Sequence, residues 1–252
     1  MNRVVCVSPR DICGGFVFRV SLKSMATLFI IGTPIGNLED ITLRALRVLK
    51  EVDLVLCEDT RVTKRLLSKY EIGTPTMSYH AQSKLAKVDK ILNLLEEGKN
   101  LALVSDAGTP CISDPGVLLV SQVREKFGDE VAIVPIPGPS ALITALSSAG
   151  ISVAEFTFLG FLPHKKGRET LFKEIAGSSR VMAFYESPHR IEKALESLEK
   201  FCGGDRKIIV ARELTKIYEE FARGTVGEVR AHFIQNPDRL RGEFVVIVEP
   251  KA

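Results

Sequence analysis

"LALVSDAGTPCISDPG", Leu101 to Gly116, decides how this chain is read. Its first four residues are apolar without alternation, the pattern of a strand buried on both faces. A loop of small residues follows, with two prolines and two aspartates, Asp106 and Asp114. Residues 117–127 then form an apolar segment of helical length. Strand, polar loop and helix in that order are the unit of an α/β sheet. In open sheets of this kind, ligands bind beyond the carboxyl ends of the strands.

The same unit recurs on either side. Leu28 to Ile31 is a strand, followed by the turn "GTPIGNLED". Leu43, Leu46, Leu49 and Val52 recur at three-residue steps, marking a helix with Asp40 near its start. "DLVLCEDT" (Asp53–Thr60) is a strand ending in acids, and residues 60–70 read as a helix. Ser83 caps a helix through Glu97 that Gly98 stops. "VAIVPIPG" (Val131–Gly138) is a strand, and "PSALITALSSAG" a helix with Pro139 in its first turn. The pattern then restarts. "FTFLGF", "RVMAFYES", "KIIVARELT" and "GEFVVIVEP" are strands. "RETLFKEIAG", "PHRIEKALESLEKFCGG" (Pro188 at its start) and residues 226–235 are helices. The expectation is two α/β domains, residues 25–137 and 138–252, each a mainly parallel or mixed sheet flanked by helices. Residues 1–24 have no clean period. They read as an extension outside the fold with the natural start at Met25, the alternative being an edge strand.

Composition excludes several classes. At 252 residues, 45% hydrophobic and 26% charged, the chain is of ordinary globular make-up. No apolar run reaches the roughly 18 residues of a membrane span. Cys6, Cys13, Cys57, Cys111 and Cys202 are odd in number and lack CxxC spacing. That disfavours a disulfide scaffold or a zinc site and points to a reducing, cytoplasmic compartment. The net charge of +3 comes entirely from residues 1–24, leaving 30 basic and 30 acidic residues in the body. Any nucleic-acid site is therefore a local patch and not a global field.

Four polar loops stand at strand ends in the first half: Gly32 to Asn37, Glu58 to Arg61, Ser105 to Gly116 and Pro137 to Ser140. "YESPHR" and "ARELTK" add two in the second half. "GTPIGN" is neither GxGxxG nor GxxxxGK[ST], so dinucleotide and Walker cradles fail on spacing. Glu58, Asp59, Asp106 and Asp114 would also repel a phosphate. A cationic or hydroxyl-bearing ligand suits such loops, and S-adenosylmethionine (SAM) carries a sulfonium, an amino group and a ribose. Taken singly, each loop also reads as an ordinary turn, with Asp106 and Asp114 as caps.

Together, "GTPIGNLEDITLRAL", "CEDTR", "VSDAGTPCISDPG", "PGPSA", "FYESPHR" and "ARELTK" resemble the ribosomal RNA small subunit methyltransferase I family, within the tetrapyrrole-methylase (class III methyltransferase) superfamily. The resemblance covers about Thr27 to Pro250. It implies a tetrapyrrole-methylase-like fold with SAM in a cleft between two domains. It also implies a homodimer and 2′-O-methylation of a cytidine in the decoding region of 16S rRNA, within the small ribosomal subunit. Carried over position by position, cofactor contacts fall on Pro34, Ile35, Asp106, Gly108, Thr109, Ser140, Ala141, Tyr185, Ala211 and Gly242. Corrin-pathway relatives have GxGPGD where this chain has Gly32 to Asn37, which speaks against a tetrapyrrole substrate. Cys111 replaces a small residue, usually Gly, in the same pattern.

Methyl transfer from SAM needs no metal, and no ligand cluster with metal spacing is present in the sequence. A ribose hydroxyl is a weak acid, so a base or cation should help it shed its proton. Glu186, Arg212, Glu213 and Lys216 are the candidates, with His189 better read as helix-start structure and His80 and His232 as ordinary. RNA must meet positive charge. Lys165, Lys166 and Arg168 in "PHKKGR", Arg190, and Arg61 and Lys64 beside Arg65 are the expected contacts. Two alternatives stay open: the same cofactor with a tetrapyrrole or protein acceptor, and a non-catalytic ribosome-assembly factor.

Overall fold

Among the described residues, 26–80, 85–113 and 116–251 of a computed structural model, ten strands form two five-stranded sheets. The extension over residues 1–24, the Ser83 cap and Asp114 lie outside those residues. The first sheet comprises β1 (Thr27–Ile31), β2 (Leu54–Cys57), β3 (Thr76–Ser78), β4 (Leu101–Val104) and β5 (Ala132–Ile136). Its order is β3-β2-β4-β1-β5 and every pairing is parallel. Ile31 is level with both Val104 and Ile136, so β1, β4 and β5 end together and release their loops on one edge. All four residues of β4 are buried, which is why that strand carries no polar alternation.

The second sheet comprises β6 (Phe156–Phe161), β7 (Val181–Glu186), β8 (Lys207–Arg212), β9 (Glu220–Thr225) and β10 (Phe244–Val248), in the order β6-β7-β10-β8-β9. Only β6 and β7 pair in parallel. Because β10 runs against β7 and β8, its first residue Phe244 pairs with their last, Glu186 and Arg212. That end of the sheet gathers three chain segments.

Helices α1 (Leu43–Glu51) and α2 (Thr60–Lys69) bury Ala45, Val48, Leu49, Leu66 and Leu67 on one face of the first sheet. Helices α3 (Leu85–Glu96) and α4 (Val117–Phe127) cover the other. In the second half, α6 (Arg168–Gly177), α7 (Ile191–Cys202) and α8 (Val226–Gln235) share one core with the sheet. The opposite face takes α5 (Ala141–Ser147). Leu142, Ala145 and Leu146 of α5 pack there with Ile35 from the first loop, Leu214 and Val245. Burial of each such large apolar side chain is worth roughly 1.5–3 kcal/mol. One apolar cluster thus ties the first loop to the second sheet.

Several local expectations shift. Asp40 belongs to a separate 3-10 turn, Leu38–Asp40, and α1 starts at Leu43, where Thr42 Oγ1 accepts the Ala45 N–H at 3.1 Å. Pro139 precedes the N-cap Ser140 and stands outside α5. Pro188 lies in a turn, and α7 starts at Ile191. The strand through "KIIVARELT" ends at Arg212, because Glu213 turns left-handed at φ 49°. Strands β3 and β9 were not anticipated. Both are edge strands, only partly buried, and "EFARGT" has no apolar run to show.

Candidate active site

The strand-end loops of the two sheets enclose a cavity of about 370 Å³. One wall comes from the first half. Ile35, Asp106 to Thr109, Ile112, Ser113, Ser140 and Ala141 line it. The loops there are stitched by backbone: Thr33 and Gly108 exchange N–H···O bonds of 2.9 and 3.1 Å. Thr33 Oγ1 donates to the Ser105 carbonyl at 3.1 Å, and Thr109 Oγ1 to that of Pro139 at 3.2 Å. A methyl on Gly32 would stand 2.8 Å from the Gly138 Cα, so these two loops touch only because both residues are glycine. Cys111 and Ser113 sit at φ 70° and 62°, and the first of these accounts for glycine being usual at that position in the resemblance. Asp106 Oδ1 accepts the Asp59 N–H at 2.9 Å.

The facing wall is made by Phe161, Tyr185 to Pro188, Leu214 and Glu243 to Val245. Tyr185 packs edge-on to Phe158 at 4.9 Å and against Phe161 at 5.4 Å, and its hydroxyl accepts the Leu142 N–H at 3.2 Å. Glu186 lies at its base with a fully buried carboxylate between two guanidinium groups, Arg168 at 3.3 Å and Arg190 at 2.8 Å. Those arginines also donate to the Pro163 and Leu162 carbonyls.

Of the residues expected to hold the cofactor, Ile35, Asp106, Gly108, Thr109, Ser140, Ala141 and Tyr185 line this cavity. Pro34 lines a neighbouring one instead. Ala211 is wholly buried beneath the wall, in the same apolar cluster as Val245. Gly242 is bare because Glu213 lies where its side chain would be. Of the catalytic candidates, only Glu186 reaches the cavity, and its charge is committed to two arginines. Arg212 is 8% exposed and braces the Arg241 and Tyr218 carbonyls at 2.7 and 3.1 Å. Lys216 Nζ bridges Glu213 at 2.8 Å and Glu243 at 3.0 Å. Burial pushes the Glu213 carboxyl up, but Lys216 and the Glu243 N–H outweigh it and hold it below its ordinary value. His189 is exposed in the turn before α7, and His232 bonds Glu220 at 2.7 Å.

The RNA candidates divide likewise. Lys64, Lys165 and Lys166 are exposed. Arg61 is exposed but bonded to Asp59, whose carboxyl it holds down at about 2. Arg168 and Arg190 turn inward to Glu186, so they are wall-builders and not surface charges. Ala107, Ile112, Ser113, Phe161, Ser187, Pro188, Leu214 and Glu243 to Val245 were not singled out from sequence. Ala107, Ser187, Leu214 and Glu243 each neighbour a residue that was, and chain adjacency is the signal that would have found those four. Among the described residues, no group of three or more His, Cys, Asp or Glu is placed to hold a metal ion. No helix among them is long and apolar enough to cross a membrane.

A family model described as tetrapyrrole (corrin/porphyrin) methylases matches residues 27–230. The chain is also 47% identical over 227 residues to "Ribosomal RNA small subunit methyltransferase I" of Thermotoga maritima, covering 90% of this chain and 100% of that one. The chain belongs to this methyltransferase family. The protein of the same name from Bacillus subtilis is 46% identical over 228 residues, covering 90% of this chain and 76% of that one. Among solved structures, a cobalt precorrin-4 methyltransferase superposes with a TM-score of 0.64 at 22% identity, over 90% of this chain and 96% of that one. At that identity the likeness concerns the fold. The cofactor of the methyltransferase family is SAM. The cavity fits it: drug-sized ligands occupy about 300–1,000 Å³. Ile35, Phe161 and Tyr185 offer apolar surface to an adenine, and the Asp106 carboxylate suits hydroxyls or a cationic group.

Proposed function

We propose that this methyltransferase moves the methyl group of SAM to the ribose 2′-oxygen of a cytidine in the decoding region of 16S rRNA, within the small ribosomal subunit. The observation that carries the reading is the cavity closed by Asp106 to Thr109, Ser140 and Ala141 on one side and Tyr185 on the other. SAM, when bound, supplies an activated methyl on a sulfonium. Bound there, it would give up that methyl to the 2′-oxygen, with the electron pair of the broken C–S bond staying on sulfur. The hydroxyl proton passes to a carboxylate or to water. The chain's own residues position and desolvate the reactants. Asp106 and the 107–109 backbone would hold the cofactor's polar groups, and Tyr185 with Phe161 would exclude water from the cavity. Glu186 holds the wall through Arg168 and Arg190. Pairing into a homodimer and action in the cytoplasm belong to the same proposal.

The test is calorimetric titration of SAM into the full chain and into Asp106→Ala, followed by incubation with small subunits and mass spectrometry of digested 16S rRNA. Micromolar binding is expected, weakened at least about 10-fold in the variant by loss of a charge-assisted hydrogen bond, with 2′-O-methylcytidine as product. Cofactor binding with methylation of a different acceptor would overturn the rRNA reading. Absence of cofactor binding with retained subunit binding would favour an assembly factor.

A further inference from the structure

A second cavity of about 230 Å³ adjoins the first. Ile35, Asp106 and Ala107 line both, so they are the partition between the two. Whatever occupies one cavity is a single residue's width from the occupant of the other. The walls of the second are apolar on two sides: Pro34 from the first loop with Leu38 from the 3-10 turn after it, and Val62 and Leu66 from α2. Its polar floor is largely spent inside the protein, since the Thr33 hydroxyl donates to the Ser105 carbonyl and the Ser105 hydroxyl to the Gly108 carbonyl, both at 3.1 Å. Asp106 is the exception. Its Oδ1 takes the Asp59 N–H, and Oδ2 has no protein partner among the described residues. Arg65 lines the cavity from an exposed position on α2, next to exposed Lys64, and neither is in an ion pair among the described residues.

Apolar walls, one hydrogen-bond-accepting carboxylate and a basic rim match the three parts of a nucleotide: base, ribose hydroxyl and phosphate. A 2′-oxygen in a duplex lies on the helix surface and cannot enter an enclosed space, whereas an extruded nucleotide can. We propose that this cavity receives the acceptor nucleotide, unstacked from its neighbours, with Asp106 Oδ2 accepting from the ribose hydroxyl through the lone pair that the cofactor leaves open, and Arg65 and Lys64 meeting the flanking phosphates. The inference rests on the RNA methyltransferase reading above and specifies its acceptor subsite.

Two substitutions test it in the full chain. Val62→Trp fills the cavity from its rim, where Val62 is 44% exposed. Arg65→Ala removes the rim charge. SAM affinity should stay within about twofold of the parent in both, because neither residue lines the cofactor cavity. Transfer to small subunits should fall about 100-fold in Val62→Trp through lost positioning. In Arg65→Ala it should fall about 10-fold, and the salt dependence of RNA binding should lose about one unit of slope. Methylation by Val62→Trp at the parental rate, with normal cofactor binding, overturns the proposal and leaves the function intact. Should Val62→Trp bind SAM poorly, Arg65→Ala decides: an unchanged rate and salt slope overturn the subsite. A parent that binds SAM but methylates no subunit removes the reading and the subsite with it.

Discussion

The first-half wall of the cofactor cavity is backbone, glycine and small side chains, joined by carbonyl and amide groups. The second-half wall is held by charged side chains that bond one another: Glu186 with Arg168 and Arg190, and Lys216 with Glu213 and Glu243. The two walls carry carboxylates of opposite standing. Asp106 keeps one oxygen for a ligand, whereas Glu186 is wholly buried and neutralised on both sides. Topology is the reason. A parallel sheet delivers short loops to one edge, where tight turns suffice. A mixed sheet brings three strand ends of differing direction together, and long side chains span the gaps. Acidic residues near a cleft therefore say little about chemistry until their partners are known.

The comparison breaks most visibly at Glu186. Its replacement by Ala leaves two arginines, 15% and 16% exposed, without a counter-charge. Removing one partner of a buried ion pair costs about 3–5 kcal/mol. Urea unfolding of Glu186→Ala should show that loss, along with release of the Leu162–Pro163 segment that the arginines hold. Stability equal to the parent would mean that the second wall does not depend on its charges.

On the first wall the sensitive positions are uncharged. A Cβ at Gly138 would sit 2.6 Å from the Gly32 carbonyl oxygen, and both contacting groups are backbone. Gly138→Ala should cost roughly 1–3 kcal/mol, the range for overpacking. It should also weaken SAM binding, because the displaced segments lead into Ile35, Ser140 and Ala141 of the cavity wall. Gly204→Ala, where a methyl meets nothing within 4 Å, is the control and should leave binding unchanged. Equal effects at the two glycines would show that the Gly32–Gly138 approach does not shape the site.

The same contrast governs how far the sequence could be read. Parallel strands buried on both faces announce themselves as apolar runs, and the loops that end them carry Gly, Pro and Asp in order; the loops of Asp106 and Ser140 stood out for that reason, whereas the choice of Thr109 and Ser140 within them came from the family resemblance. Residue pattern alone left the ligand open, and the family motifs narrowed it to SAM. In the second half, the charged residues of "YESPHR" and "ARELTK" stood out, yet charge does not reveal its partner. Arg168 and Glu186 are 18 residues apart and Lys216 and Glu243 are 27 apart, so their pairing exists only once β7, β8 and β10 meet. The edge strands β3 and β9 were hidden for the converse reason: half-exposed strands need no apolar pattern.

The smallest expected effect lies in the Lys216 network, partly exposed at the rim. Lys216→Met should cost only about 0.5–1 kcal/mol at neutral pH, because solvent screens a pair of this kind. Its pH dependence is the sharper readout. Glu213 is held below its ordinary 4.5, so its contribution is complete above that value and disappears as pH falls through the lowered one. Burial pulls the Lys216 ammonium down, but Glu213 and Glu243 outweigh it and raise it above 10.5, so its contribution persists to alkaline pH and fades only beyond. The stability gap between parent and variant, followed by urea unfolding, should be flat between these limits and close on the acid side. A gap that stays constant as the carboxylates are protonated in acid would assign the loss to the lysine's methylene packing instead. The second wall would then rest on the Glu186 cluster alone for its electrostatic stability.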